Sequence, residues 1–399
     1  MRQDISTSDK SMNIRQKKLL LCTLTAFMIS GIAAQPLGSF IPFLRDSYNL
    51  SYEVSGILLS CQSFGNLCAI LISGVLPFWL GRRKSILITA VWMAAAYIIF
   101  VSGFGSPALL ILAFLMTGIS RGGNSNFAST MILTLPKERY TVNYNLLHGC
   151  FAIGALLSPI ALVLITSKNG AEGWRIMAGI ICVICIIQLV IYAKMPLPEE
   201  SGKKGVKSIE RGFLKDKRFW LAALMLFFYI STEYAIVGWL VTYFQDEGIL
   251  SAEYSQLMNS LLWTMILIGR MTGAIIGKKV PKSKLLLADG VGMMAFFLLM
   301  FFSRSTAGII IGLAGVGLFM ATIYPTAQAV GGDAIPGNDF GSSLMILFGS
   351  FGGVITPALV GFVAEHSGIR AGMGLIVVYT ALLLICIILS VLSIKKERA

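Results

Sequence analysis

Charged residues are scarce in this chain. They make up 13% of its 399 residues, whereas an ordinary soluble domain carries about 25%. The apolar fraction is 56% and the mean hydropathy is +0.79. A chain with so little charge has too little polar surface to face water on all sides, and this excludes an ordinary soluble domain.

Several catalytic signatures are also missing. The sequence has no GxxxxGK[ST] phosphate loop, so ATP is not expected to be a direct energy source. It has no HExxH pair. The seven cysteines all lie in apolar segments, so the CxxC spacing of Cys182 and Cys185 is interpreted as packing rather than as a metal or redox site. We therefore expect no enzymatic activity and no cofactor.

Long apolar runs are what the chain has instead. Runs of about 20 residues recur throughout, and each is long enough to cross a hydrocarbon core of about 30 Å as a helix. The first run exceeds a signal-peptide core of about 7 to 15 residues, so we expect it to remain as a spanning helix. The pattern predicts twelve spans, near residues 18–44, 52–79, 85–103, 107–131, 143–166, 174–193, 219–244, 254–277, 284–303, 306–331, 341–364 and 371–394.

The distribution of Lys and Arg predicts the orientation of these spans. Of the 32 basic residues, 25 fall on the side of the N-terminus, five on the other side and two within spans. The positive-inside rule then places both termini in the cytoplasm of a multi-pass protein of the bacterial inner membrane. The net charge of +13 is explained by this topology, and without a basic stripe or binding motif we expect no nucleic-acid partner beside the lipid bilayer.

A basic stretch punctuated by Pro and Gly divides the chain. We predict a cytoplasmic linker at 194–218, held at the anionic inner leaflet. It separates a six-helix bundle at 1–193 from a second one at 219–399. Because both bundles belong to one chain, a monomer is the expected functional unit.

The two halves share marks at an offset of about 195 to 198 residues. Gly154 precedes Pro159 by five positions, as Gly352 precedes Pro357. Such parallel repeats are typical of transporters, whose similar halves rock about a central site. The predicted fold class is all-α, with twelve transmembrane helices in two pseudo-symmetric six-helix bundles.

The loop after the second span, GVLPFWLGRRK, resembles the signature of the major facilitator superfamily between helices two and three. Gly74, Gly81, Arg82 and Arg83 match that signature, and Phe78 stands where it has an acidic residue. Four further segments resemble the fucose-galactose-glucose symporter-like branch: LLHGCFAIGALLSP (146–159), YISTEYAIVGWLVTYF (229–244), GLFMATIYPTAQA (317–329) and FGSFGGVITPALVGFVAEHSGIR (348–370). The resemblance implies that spans one, four, seven and ten line a cavity and that solute uptake is coupled to an ion.

Three charged residues are singled out within spans, where a charge costs about 2.5–3.5 kcal/mol and is usually functional. We expect Glu233 of span seven and Arg121 of span four to face each other across the cavity, with substrate or a cation competing for the carboxylate. The alternative is a fixed ion pair that only holds helices together. Arg270 of span eight is expected at helix-end carbonyls or a cytoplasmic gate. His148 suits either a proton relay or a packing hydrogen bond.

Sugar recognition requires amide or carboxylate groups for hydroxyls and an aromatic face for the ring. The aromatic candidate Trp239 has a second interpretation as an interfacial belt residue. The hydrogen-bonding candidates are Gln35, Asn66, Asn124, Asn126, Glu233, Tyr234, Tyr324 and Gln328, and the aromatic platforms are Trp239, Trp263 and Phe348.

The leading functional prediction is a secondary active transporter that moves a small solute, with a sugar as the first choice, by alternating access. A proton or sodium gradient would supply the energy. The first alternative is a proton-coupled efflux antiporter for drugs or metabolites, which the 18 methionines would suit. The second is a membrane sensor or scaffold without turnover, which would need a sizeable cytoplasmic output segment.

Overall fold

The structure is a computed structural model, and it describes residues 12–136, 139–197, 212–277, 279–335 and 339–398. Within these ranges the regular structure consists of α-helices and short 3-10 turns. Most of the predicted linker, including 198–211, lies outside the described residues, as does Lys137.

Fourteen α-helices form the spans of the described chain. The first half contains α1 (Ile14–Ala34), α2 (Pro36–Tyr48), α3 (Tyr52–Ser73), α4 (Leu76–Leu80), α5 (Arg82–Ser102), α6 (Pro107–Leu133), α7 (Tyr140–Asn169) and α8 (Gly173–Lys194). The second half contains α9 (Lys217–Asp246), α10 (Ala252–Ile276), α11 (Lys282–Phe302), α12 (Thr306–Ala334), α13 (Asp339–Ser367) and α14 (Ile369–Arg398).

Twelve spans result because two of the predicted spans are broken. The first divides at Gln35, where Pro36 occupies the first turn of α2 and its ring replaces a backbone N–H donor. The second ends at Gly74 and is followed by the five-residue helix α4. Most of the other helices extend a few residues beyond the predicted apolar windows, because hydropathy windows omit the polar helix ends.

Length and apolarity alone select nine stretches in the described part of the chain, one of which, Val142–Lys194, contains both α7 and α8. The helices α6 and α10 fall outside this selection. Both carry polar residues in mid-helix, including Arg121 in α6 and Arg270 in α10. Each packs against other helices of its own half, α6 on α3 and α5, and α10 on α12.

The repeat seen in the sequence corresponds to equivalent packing in the two halves. A Cβ added at Gly154 of α7 would overlap the carbonyl oxygen of Met28 in α1. A Cβ added at Gly352 of α13 would overlap the carbonyl oxygen of Phe227 in α9. The fifth span of each half therefore approaches the first span of that half at backbone distance, as small residues allow in lipid.

The halves meet along three helix pairs, α2 with α9, α3 with α13 and α7 with α10. An even number of spans puts both ends of the chain on one side of the bundle, which we call the terminal side, and the other side the opposite side. At the opposite side the contact is close, since a Cβ at Gly56 of α3 would lie 2.7 Å from the carbonyl oxygen of Pro357 in α13.

Candidate functional site

A small central cavity lies between the halves. Its volume is about 30 Å³, above the roughly 10–15 Å³ that one water needs. Its walls come from both halves: Ala34, Gln35, Gly38, Leu59, Gln62, Ser63 and Arg121 from the first, and Glu233, Tyr234, Val237, Gly238, Trp263 and Pro357 from the second.

Arg121 projects into this cavity from the middle of α6. Its guanidinium carbon lies 5.4 Å from the ring centroid of Tyr234 and 5.9 Å from that of Phe151. Contacts of this kind stabilise a desolvated cation by about 0.5–2 kcal/mol. They leave the N–H donors of the guanidinium, which lie in its plane, available for a ligand.

Glu233 faces the same cavity from α9. The Tyr229 hydroxyl, one turn earlier on the helix, lies beside its carboxylate, and the charges of Arg270 and Arg121 both act on it. Among the residues that the structure describes, neither guanidinium forms an ion pair with Glu233 within 4.0 Å. Arg121 and Glu233 thus share the central cavity without forming an ion pair with each other.

Two buried donors of the cavity wall have no partner in the described part of the chain. Gln35 is 3% exposed and Trp263 is 4% exposed. The Gln35 Nε2 and the Trp263 Nε1 form no hydrogen bond with the described residues. Gln35 lies in the cavity wall at the break between α1 and α2. A buried N–H without an acceptor costs about 1–3 kcal/mol, so both donors indicate a place for a ligand or water.

A larger cavity of about 480 Å³ opens on the terminal side, between α7 of the first half and α10, α11 and α12 of the second. His148, Arg270, Tyr324 and Gln328 line it. The Gln328 Nε2 donates to the Tyr324 hydroxyl at 3.1 Å. The His148 ring packs edge-on to Tyr144 and Phe27, at centroid distances of 4.6 and 5.8 Å. This volume falls within the range of about 300–1,000 Å³ of small-molecule sites.

The structure places Asn124 away from both cavities. Its Nδ2 donates to the Ser30 and Ser120 hydroxyls at 3.1 and 3.3 Å, and its Oδ1 accepts from Thr89 at 3.1 Å. The Gln188 Nε2 donates to the same Ser30 hydroxyl at 3.0 Å. This buried polar cluster joins α1, α5, α6 and α8, so every bond of Asn124 is used in packing.

Four further candidates also lie outside the cavities. Asn66 packs its backbone against α6, and the Asn126 Nδ2 donates to the Ser73 hydroxyl at 2.7 Å. The Phe348 ring lies edge-on to Trp220 and tilted against Phe227, with ring centroids 5.9 Å apart in each pair. Trp239 is fully buried and its Nε1 donates to the Pro357 carbonyl oxygen at 3.1 Å, so it is not a belt residue facing lipid headgroups.

The signature loop fastens the end of the first half. Gly74 ends α3, and Gly81 has a φ of 76°, which favours glycine, immediately before Arg82 begins α5. The Arg83 guanidinium donates to the carbonyl oxygens of Tyr192, Ala193 and Met195 at the end of α8. Phe78, at the position of the missing acid, is 68% exposed. Arg83 therefore caps the carbonyl groups at the end of α8.

Some polar residues of the cavities were missed in the sequence. Gln62 and Ser63 line the central cavity, and the Gln62 Nε2 donates to the Ala34 carbonyl oxygen at 3.0 Å. Asp289 is a buried acid within α11 that accepts a hydrogen bond from Thr322, a residue of the larger cavity. Asp289 could have been found in the sequence, because it is an acidic residue within an apolar run, as Glu233 is.

A polar clasp closes the opposite side. Arg45 of α2 forms an ion pair with Asp246 of α9, and its guanidinium lies 3.7 Å above the ring of Tyr52. The Tyr52 hydroxyl donates to Asp246 at 2.8 Å and its backbone N–H to Glu365 of α13 at 2.7 Å. These four residues, which we name the clasp, link both halves.

Comparison with known proteins identifies the family. The model of the Major Facilitator Superfamily matches residues 19–342. Because this is most of the chain, the protein belongs to that superfamily. It is a multi-pass membrane protein and a transporter of small solutes.

Relatives support the predicted branch. A hexuronate transporter of Bacillus subtilis is 24% identical over 382 residues, which is 89% of each chain. A putative glucose/galactose transporter of Helicobacter pylori is 24% identical over 378 residues, covering 87% of this chain and 89% of the relative. The crystal structure of a D-xylose-proton symporter shares the fold with a TM-score of 0.73 at 14% identity, covering 94% of this chain and 97% of that one. The predicted all-α fold and the resemblance to the fucose-galactose-glucose symporter-like branch are confirmed.

Proposed function

We propose that the protein is a secondary transporter that moves a sugar-like solute across the bacterial inner membrane by alternating access, and that it is not an enzyme. The observation that carries this proposal is the central cavity between the halves, lined by Gln35, Arg121, Glu233, Tyr234 and Trp263. Amide, carboxylate, hydroxyl and indole groups around one small space suit a polyhydroxylated ligand. Relatives named as transporters of hexuronate and of glucose and galactose support the solute class.

The route to the central cavity runs through the larger cavity on the terminal side. The clasp and the close contacts of Gly56 block the opposite side. The central space of about 30 Å³ is too small for a hexose, so a solute that arrives from the terminal side must part α9 and α10 from the first half. With 25 of 32 basic residues on the terminal side, we propose that this side is cytoplasmic. One chain supplies both halves and acts as a monomer.

Glu233 is the proposed site of the coupling cation, a proton or sodium. This residue lines the cavity, and among the described residues no cation lies within 4.0 Å of its carboxylate, although the charges of Arg121 and Arg270 act on it from farther away. A buried acid in a span whose charge is not neutralised by a fixed partner is suited to take up and release a cation during the transport cycle. The solute and the cation then bind in one space, which couples their movements.

Counterflow in proteoliposomes tests this proposal. Vesicles preloaded with unlabelled glucose, galactose, fucose or glucuronate should accumulate the labelled compound transiently and saturably. Glu233→Gln should keep counterflow, which needs no gradient, but lose accumulation driven by an imposed ion gradient. The matched control is Glu253→Gln at the exposed start of α10, which should keep both. Absence of counterflow with every compound, in protein that elutes as a single folded species, would refute the proposal and direct attention to efflux of drugs or metabolites.

A further inference from the structure

We propose that the solute carries a carboxylate, as a sugar acid does, and that this group binds the Arg121 guanidinium in the central cavity. This inference rests on the transport function proposed above and specifies its substrate class. It is carried by the charges and the unpartnered donors of the cavity.

The cation of the central cavity has no fixed anionic partner. Among the described residues no carboxylate lies within 4.0 Å of the Arg121 guanidinium, and Glu233 is acted on by Arg270 as well as by Arg121. The other charged groups near the larger cavity already have partners: Asp289 accepts a hydrogen bond from Thr322, and Lys282 pairs with Asp333 at 3.0 Å. An unpaired charge at membrane depth is costly. A carboxylate of the solute would pair with Arg121 directly, whereas a neutral hexose would leave it unpaired.

The two fully buried side-chain atoms of the cavity wall that lack a partner among the described residues are both donors. The buried Gln35 Nε2 and Trp263 Nε1 have no acceptor among the described residues. The guanidinium of Arg121 adds further N–H groups and has aromatic rings, not acceptors, on its faces. The carboxylate of the wall, Glu233, already has the Tyr229 hydroxyl and the charges of Arg270 and Arg121 beside it. A carboxylate and its neighbouring hydroxyl oxygens are acceptors, and a planar guanidinium binds a carboxylate through two parallel hydrogen bonds.

The location of Arg121 separates a binding role from a packing role. A structural arginine would be held by an ion pair or by helix-end carbonyls, as Arg83 is at the end of α8. Arg121 instead lies between two aromatic rings from different halves, Phe151 of α7 and Tyr234 of α9. A ligand bound to Arg121 would contact both halves, so its affinity would depend on how the two halves are positioned relative to each other.

The test compares an acid with its neutral counterpart. D-glucuronate and D-glucuronamide have the same ring and hydroxyl groups and differ in charge. Both are tested on the same unmodified protein, so a difference between them cannot arise from a variant that fails to fold. In counterflow of labelled D-glucuronate by the unmodified protein, we expect the amide to compete at least tenfold more weakly than the acid. This factor corresponds to the loss of a charge-assisted hydrogen bond. Equal competition by the two compounds would overturn the inference.

Protein variants locate the effect. Arg121→Gln should reduce the preference for the acid over the amide to near one, and Arg121→Lys, which keeps the charge but loses the paired donors, should retain part of it. The control Arg304→Gln removes a half-exposed arginine from the opposite side and should keep the full preference. An unchanged preference in Arg121→Gln would assign the acid to another group and overturn the inference.

The outcomes distinguish this inference from the function on which it rests. Saturable counterflow of glucose, galactose or fucose with none of glucuronate would overturn the carboxylate but keep the sugar transporter. Absence of counterflow with neutral and acidic sugars alike, in folded protein, would remove both. If glucose 6-phosphate competes more strongly than glucuronate, the anionic group of the solute is a phosphate ester, and the proposal of a carboxylate is overturned.

Discussion

Arg121 and Asn124 lie three positions apart on α6, yet the structure gives them different tasks. Asn124 is fully buried and all its hydrogen bonds go to helices of the first half. Arg121 has aromatic rings on its faces and lines the cavity. Their angular positions on the helix explain the difference, because residues three apart occupy nearby but distinct directions.

Asn124→Leu should therefore reduce stability without altering solute preference. Interhelical hydrogen bonds in membrane proteins contribute about 0.6 kcal/mol on average and about 1.7 kcal/mol at most, so the loss of the two bonds to Ser30 and Thr89 should cost about 1–3 kcal/mol. Thermal unfolding in detergent measures this loss. Asn169→Leu, which removes a local bond to the Ile165 carbonyl at the exposed end of α7, is the control. Unfolding of Asn124→Leu at the temperature of the unmodified protein would show that the cluster does not stabilise the bundle.

The helices themselves approach one another through glycine. Gly154 of α7 faces the Met28 carbonyl of α1, and Gly352 of α13 faces the Phe227 carbonyl of α9. Lipid tails are as apolar as leucine, so helices in a bilayer gain stability from close packing rather than from leaving the solvent. The backbone contacts of these glycines are thus a principal attachment of the fifth span to the first in each half.

Gly154→Ala should weaken this attachment. The new Cβ would overlap a backbone oxygen, which cannot move without its helix, and we expect a loss of about 1–3 kcal/mol as for other overpacked sites. Gly149→Ala on the same helix meets nothing within 4 Å and should be neutral or slightly stabilising. The yield of monodisperse protein and its unfolding temperature compare the two variants. Equal behaviour would contradict the packing argument.

The number and order of the helices could be predicted from the sequence, because a span is defined by length and hydropathy. The rotation of each helix could not. Trp239, Asn66 and Asn126 lie on spans that carry polar or aromatic residues, but hydropathy does not distinguish a face turned to lipid from one turned to another helix. Both environments are apolar, so the periodicity that orients a helix in a soluble protein is weak here.

For the central cavity, charge was a better guide than composition. Arg121 and Glu233 were singled out because a charge within a span is costly, and the structure brings both to one cavity. Gln62 and Ser63 carried no such signal, since small polar side chains are common at helix interfaces. The clasp depends on residues more than 190 positions apart, Arg45 and Asp246, and only the folded arrangement of the two halves shows their pairing.

Alternating access requires the two sides of the bundle to open in turn, and the structure shows the terminal side hollow and the opposite side closed. The clasp is the polar part of that closure, and the bonds from Gln256 and Asn259 of α10 to Ser39 of α2, at 2.9 and 3.2 Å, lie deeper along the same interface. A change that weakens the clasp should shift the population of states toward the one open at the opposite side, without touching the solute.

Asp246→Asn removes the charge that holds Arg45 and tests this balance. We expect a shift of about 1 kcal/mol, typical of a partly exposed ion pair, and so a roughly three- to tenfold faster reaction of a cysteine placed at Leu59 of the cavity wall. The reagent is a membrane-impermeant maleimide added to the opposite side of spheroplasts, with the parent lacking that cysteine as background. Glu172→Gln breaks an ion pair with Arg175 on the same side but within one half, and should leave the rate unchanged. Because both variants lose one carboxylate from the same surface, an equal increase in both would trace the effect to surface charge and not to the link between the halves.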